Sequence, residues 1–349
     1  PISDEGSLLS FGNDNYIRES FFFNRKITNK LYHRISYSSS RSDGFRNNLY
    51  YKSTDTNKKD EMSVRYKLLF NPNDLFAVKT TLNHIDINNG YDIWTVDNNG
   101  YNTQSDYIGI DHLNLNALSI NAEYKPFKDF KASSINTYLN SKMIYSYDGD
   151  WGNSQFWEDN YEWYENSDAF NWDDLGGYYP YVFTDSTNRA RENITNEIRL
   201  SFKKTNIGLY YSNLIETDDR YGWLFGGSSA RIQSDFYIKN LAVYLSTNLS
   251  INNKLEVGLL SRIERNRVQN NLTSYTYNYY LYDYSVDTTF TDSSNSVLFG
   301  GRAELSYKIN NRTILNASIS KGYKGPGVNQ SVNIGTVENL QSDLRTYSH

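Results

Sequence analysis

The residues best able to do chemistry lie between positions 146 and 191. Asp148, Asp150, Trp151, Trp157, Glu158, Asp159, Tyr161, Trp163, Tyr164, Trp172, Asp173, Asp174, Tyr178 and Tyr179 crowd into this stretch, which holds four of the six Trp. Exposed aromatic clusters are costly unless they pack or bind. Indole and phenol faces stack on sugar rings or on the aryl groups of a ligand, and acids and amides supply hydrogen bonds. Trp151, Trp157, Trp163, Tyr164, Trp172, Tyr178 and Tyr179 are therefore the candidate ligand-binding residues. The alternative is a self-packed loop whose Trp side chains form a small core of their own. The loop acids could also hold calcium, which takes carboxylate and carbonyl oxygens, but no EF-type spacing is present. No metal site is assigned at this stage.

Catalytic chemistry finds little to stand on. The four His, at 33, 84, 112 and 349, lack any zinc-ligand spacing. Cys is absent, which excludes disulfides, thiolate metal sites and Cys nucleophiles. No nucleophile elbow, phosphate loop or dinucleotide fingerprint occurs. Adjacent acids such as Asp60–Glu61 would point to opposite faces of a strand and could not share a proton. No catalytic residue, enzymatic activity or cofactor is expected. A net charge of −5 gives no global basic field toward nucleic acid.

The elements that must position the aromatic loop are strands. From Val297 to Ile309, odd positions read Val, Phe, Gly, Ala, Leu, Tyr, Ile and even positions read Leu, Gly, Arg, Glu, Ser, Lys. This period of two makes one apolar and one polar face. A second alternating run, Thr313–Ser320, follows after Asn310, Asn311 and Arg312, which reads as a hairpin. The same unit recurs around short turns near 252–254, 205–206, 126–129, 71–74 and 24–30. Longer connections near 41–60, 89–111, 146–191, 217–235 and 268–295 separate the units. With a strand near 5–11 and a bend at Gly12–Asn15, about thirteen strands are expected.

Alternation of short and long turns is what a bacterial outer-membrane barrel predicts. Transmembrane strands need only about ten alternating residues, so a mean hydropathy of −0.70 is compatible with them. No run of about 18 apolar residues forms a membrane helix. On the polar strand faces, Arg199, Arg262, Arg302 and Glu304, with Glu264 and Lys308, are candidates for a wet lumen. A soluble all-β protein with the apolar faces in a core shares the period of two. The odd strand count leaves the last strand unpartnered, so the chain reads as part of a larger barrel. No signal peptide opens the chain at Pro1, and a leader could lie ahead of it.

Several segments also resemble a known family. Ser318-Ile-Ser-Lys-Gly-Tyr-Lys-Gly-Pro-Gly-Val-Asn329 resembles a mid-barrel signature of TonB-dependent outer-membrane receptors, where an outward strand ends in a Gly-rich segment with Lys/Arg and Tyr. Asp43–Asn48 followed by Asp55–Glu61 resembles the first large extracellular loop of that family. Gly12–Tyr16 resembles its first barrel bend, and Tyr147–Gly152 with Ile194–Phe202 a loop and descending strand. The resemblance implies an incomplete antiparallel transmembrane β-barrel over 1–349, about 13 strands of a 22-stranded parent, without the plug domain, the TonB-contacting segment or the C-terminal strands. It also implies a bacterial outer-membrane transporter for a scarce, bulky nutrient, ferric siderophore first, with cobalamin or an oligosaccharide as others. Its partners would be the TonB complex, acting through the plug segment, and outer-membrane lipid. A glycan-binding all-β protein and a passive porin are the rival readings.

Overall fold

A period of two along most of the chain leaves backbone N–H and C=O groups to be satisfied by neighbouring strands, and the molecule is accordingly one long antiparallel ladder. The computed structural model describes residues 3–96, 99–160, 184–222, 230–278 and 283–328. Its elements are β1 (Asp4–Phe11), β2 (Ile17–Thr28), β3 (Leu31–Ser42), β4 (Asn47–Asn48), β5 (Lys59–Asn73), β6 (Phe76–Gly90), β7 (Asn102–Thr103), β8 (Ile110–Phe127), β9 (Phe130–Asp148), α1 (Ser154–Asp159), β10 (Thr184–Phe202), β11 (Thr205–Gly222), β12 (Ala230–Ser250), β13 (Leu255–Asn278), β14 (Asp283–Lys308) and β15 (Ile314–Lys321). Thirteen strands pair in sequence order into one sheet, while β4 and β7 form a separate two-residue parallel pair. Among the described residues, β1 pairs only with β2 and β15 only with β14, so the sheet is open.

Turn chemistry explains the short end. The bend after β1 places Asp14 and Asn15 at φ 56° and 54°, the left-handed region that Asp and Asn tolerate. Asn73 and Asn252 each accept two backbone N–H groups in the following turn, as Asx turns do.

The two faces of the sheet differ. Ile198, Leu209, Val243, Ile263 and Phe299 are directly paired neighbours across β10–β14, and each is between 45% and 54% exposed. Among the described residues, no second layer of structure covers this apolar row. On β12 the apolar outer positions run from Leu241 to Leu249, about 26 Å along the strand and about 18 Å along the normal at a 45° tilt. That fits within the roughly 25 Å apolar band of a membrane barrel. The next outer row, Asn213, Lys239, Arg267 and Asn295, is polar and ends the band.

The inner face carries polar and charged side chains. Arg199, Gly208, Tyr244, Arg262 and Gly300 form one paired row across β10–β14. The glycines are steric: a Cβ at Gly208 would lie 2.1 Å from the Tyr244 ring, and one at Gly300 2.7 Å from the Tyr323 ring.

Two of the expected long connections are shorter than the sequence suggests. Of 217–235, residues through Gly222 belong to β11 and those from Ala230 to β12; of 268–295, all but 279–282 belong to β13 and β14. Beyond the apolar band the outer face of these strands turns polar, so the membrane alternation fades while backbone pairing continues: Arg267 faces Asn295, Gln269 Ser293, and Asn271 Thr291. The small apolar core here, Ile232 and Leu272 with Phe290, lies on the opposite face from the outer belt.

Candidate functional site

The loops at the long-turn end do not hang separately. Those after β3, β6 and β9 are tied into one polar cap. The knot is Asp92, 4% exposed, whose Oδ2 accepts from Asn48 Nδ2 at 2.8 Å, Thr56 Oγ1 at 2.7 Å and Thr103 Oγ1 at 2.7 Å. Three donors from two loops on one oxygen satisfy a buried carboxylate without a basic partner. Asn48 reaches on to the Ser105 carbonyl at 2.9 Å and accepts the Tyr51 N–H. The β4–β7 pairing of Asn47 with Asn102 and Asn48 with Thr103 adds the backbone tie.

The third loop joins through Asn153. Its Oδ1 caps α1 by accepting from Phe156 N at 3.0 Å, and its Nδ2 donates to the Gln104 carbonyl at 2.8 Å. Asp106 N donates to the Gly152 carbonyl, and the Tyr51 hydroxyl donates to the Asp106 carbonyl. At the base, the Tyr91 ring meets Tyr145 and Tyr147 edge-on at 4.7 and 6.4 Å.

Two indoles sit on this cap. Trp94 and Trp151 are stacked at 5.4 Å with an interplanar angle of 19°, and are 44% and 41% exposed. Trp151 has φ 63°, a conformation that L side chains rarely adopt and that surrounding structure must hold in place. Trp157 is 3% exposed and packs edge-on against Phe156 at 5.2 Å. Its indole covers Gly152, where a Cβ would come within 2.6 Å of Nε1. Of the aromatic candidates in this loop, the structure thus places Trp151 at the surface and Trp157 in the interior. Trp163, Tyr164, Trp172, Tyr178 and Tyr179 lie outside the described residues.

Acidic groups gather next to Trp151 in the chain. Oxygens of Asp106, Asp148 and Asp150 lie within 4.8 Å of one another. Burial, with the neighbouring Asp148 charge, pushes Asp106 up to about 6. Burial, with Asp148, pushes Asp150 well above the usual carboxylate range.

The lumen candidates share the inner face. Arg262 donates to Glu264 Oε2 at 2.6 Å and to Tyr323 Oη at 2.9 Å, and its guanidinium lies 5.3 Å from the Tyr210 ring centre. Arg199 donates to Glu197 at 2.6 Å and to Tyr244 Oη at 2.9 Å. Arg302 and Glu304 pair at 3.0 Å. Each cation has an internal partner, and Tyr323, from the Gly-rich segment after β15, closes the Arg262–Glu264 pair.

The sequence reading missed Trp94 and the role of Asp92 and Asp106. A signal was present: Tyr91-Asp-Ile-Trp94 is an aromatic and acidic island in an Asn/Gly-rich loop. What spacing could not show is that this loop meets the one that follows β9.

No family model matches the sequence, and no curated protein does. Solved structures do match in fold. The ferric yersiniabactin uptake receptor FyuA from Yersinia pestis aligns at a TM-score of 0.72 with 14% identity, over 96% of this chain and 49% of that one. The ferric-catecholate import receptor Fiu from Escherichia coli K12, in its closed form, aligns at 0.63 with 14% identity, over 95% and 53%. The copper transporter OprC aligns at 0.54 with 10% identity, over 91% and 44%. The chain spans about half the length of the solved structures it matches. Its open thirteen-stranded sheet, with long loops at one end and charged residues on one face, is the fold of the barrel portion of TonB-dependent outer-membrane receptors.

Proposed function

We propose that the protein containing this chain is a bacterial outer-membrane receptor and transporter that captures a scarce, bulky nutrient, with a ferric siderophore as the first candidate, and imports it with energy from the TonB complex. The observation that carries the reading is the cap. Three loops at one end of an apolar-belted sheet are hydrogen-bonded together and present the Trp94–Trp151 pair outward. Stacked indoles suit a flat aryl or chelate surface. The solved ferric-siderophore receptors of this fold favour iron, while the copper transporter keeps a metal cargo of another kind in view.

Below the cap, the inner-face ion pairs line a wet path. The uncovered apolar row argues for lipid contact and against a soluble glycan-binding protein. A passive porin would need no partner. The test is uptake of radiolabelled ferric siderophores by cells making the full-length receptor, with and without TonB. Saturable accumulation that disappears without TonB is the expected result. Equal accumulation in both strains would replace the transporter with a porin. Absence of the protein from outer-membrane fractions would overturn the membrane reading itself.

A further inference from the structure

Two buried acids show how this molecule matches a carboxylate, while Asp185 keeps one unpartnered oxygen next to Tyr147. Asp92 has three donors on one oxygen. Asp218, 4% exposed, is held by Arg189 at 2.6 and 2.7 Å and also by Arg220. Asp148 and Asp150 are as deeply buried, at 5% and 8% exposure, and are not matched. In each, Oδ1 takes a long bond from a backbone N–H two residues on: Asp150 N to Asp148 at 3.4 Å, and Gly152 N to Asp150 at 3.3 Å. In each, the buried Oδ2 has no hydrogen-bond partner. No ion pair among the described residues involves Asp106, Asp148 or Asp150. Buried, unpaired carboxylate oxygens are rare because their desolvation is uncompensated.

We infer that Asp106, Asp148 and Asp150 form a binding site for a divalent hard cation, calcium, which clasps the loop after β6 to the loop after β9. The donor set is all oxygen, with no His or Cys, which disfavours zinc and copper. Oxygens around calcium lie about 2.3–2.6 Å from the ion, so two ligands on opposite sides are about 4.8 Å apart, whereas magnesium would draw them to about 4.2 Å. The three carboxylates lie within 4.8 Å of one another, near enough to share one ion, and a loop site with few fixed ligands suits calcium's flexible coordination better than magnesium's strict octahedron. Asp150 precedes Trp151, so the ion would also fix the indole stacked on Trp94. The site requires only residues of this chain, and calcium binding stands or falls without any nutrient ligand.

The competing account is a proton shared between Asp148 and Asp150 with no metal. The experiment uses the full-length receptor in detergent micelles, stripped with chelator and titrated with calcium chloride or magnesium chloride. Heat and Trp fluorescence report binding, and thermal melting reports stability. Saturable calcium binding, in the about 10⁻⁴–10⁻³ M range of extracellular sites, with a higher melting temperature and a weaker response to magnesium, is expected. Asp150→Asn and Asp148→Asn keep shape and remove charge. Each should weaken calcium binding at least tenfold while leaving the cation-free melting temperature unchanged or raised. A cation-free melting temperature no lower than wild type shows that the variants fold. No saturable binding by the wild-type protein up to several millimolar, or calcium binding by both variants equal to wild type, would overturn the site in favour of the shared proton.

Discussion

Two indoles within nine residues of the end of the same strand have opposite surroundings, and this separates binding from packing. Trp157 is buried against Phe156 and over Gly152, so Trp157→Ala opens a cavity and should destabilise the cap by about 3–5 kcal/mol. Trp151 is exposed, and Trp151→Ala should cost the cap under about 1 kcal/mol while weakening ligand binding about tenfold. Proteolytic susceptibility of the loops and ligand titration, measured on both variants, give the two readouts. Loss of loop protection in Trp151→Ala, or unchanged binding, would contradict the assignment. Asp92 provides the complementary case. Asp92→Ala strands three buried donors from two loops, and should weaken the cap by at least about 3 kcal/mol. Hydrogen exchange should rise at 47–56 and 101–105 and stay constant along the paired strands; a rise along β8 and β9 as well would mean the cap and the sheet unfold together.

At the scale of the element, one strand carries both environments, and neighbouring positions answer differently to the same charge. On β12, Val243 is 54% exposed in the apolar row, while Ser246 shares the inner face with Tyr244. Val243→Arg places a guanidinium in the hydrocarbon and should cost about 2–4 kcal/mol near the midplane. Ser246→Arg should cost under about 1 kcal/mol, because the lumen is wet. Refolding equilibria into vesicles check the pair, and equal costs would show that the faces are misassigned. This contrast was legible in the sequence wherever lipid imposes it. Leu241, Val243 and Leu245 alternate with polar neighbours because only one face meets hydrocarbon. The same strands were unreadable above the band. Between Arg267 and Thr273 the outer face is polar and the inner face mixes buried Val268 and Leu272 with Asn270, so the alternation loses its membrane pattern, although every residue is still paired. The cap was least legible of all. Asp106 and Asp148 are 42 positions apart, and only the sheet order β6-β8-β9 brings their loops together.

At the scale of the whole molecule, the open edges decide the size of the functional unit. β1 and β15 each leave one side of the ladder unpaired among the described residues, and every residue of β15 is exposed. An unpaired edge in a membrane strands backbone donors and acceptors at several kcal/mol for each group left unsatisfied. Bacterial single-chain barrels solve this by closing with an even number of strands. The thirteen sheet strands among the described residues do not meet that rule, and the solved receptors of this fold are about twice as long as this chain. The native polypeptide should therefore appear in the outer-membrane fraction at about twice 40.5 kDa when probed with an antibody to region 146–191. Residues 1–349 produced alone should fail to insert into vesicles as a protease-resistant species, and should aggregate through the β1 and β15 edges. Supplying the remaining strands of the parent as a second chain should rescue insertion, since edge pairing needs hydrogen-bond partners and not covalent continuity. Stable, protease-resistant insertion of 1–349 by itself would show that β1 and β15 find each other, and that the functional unit is smaller than the solved receptors imply.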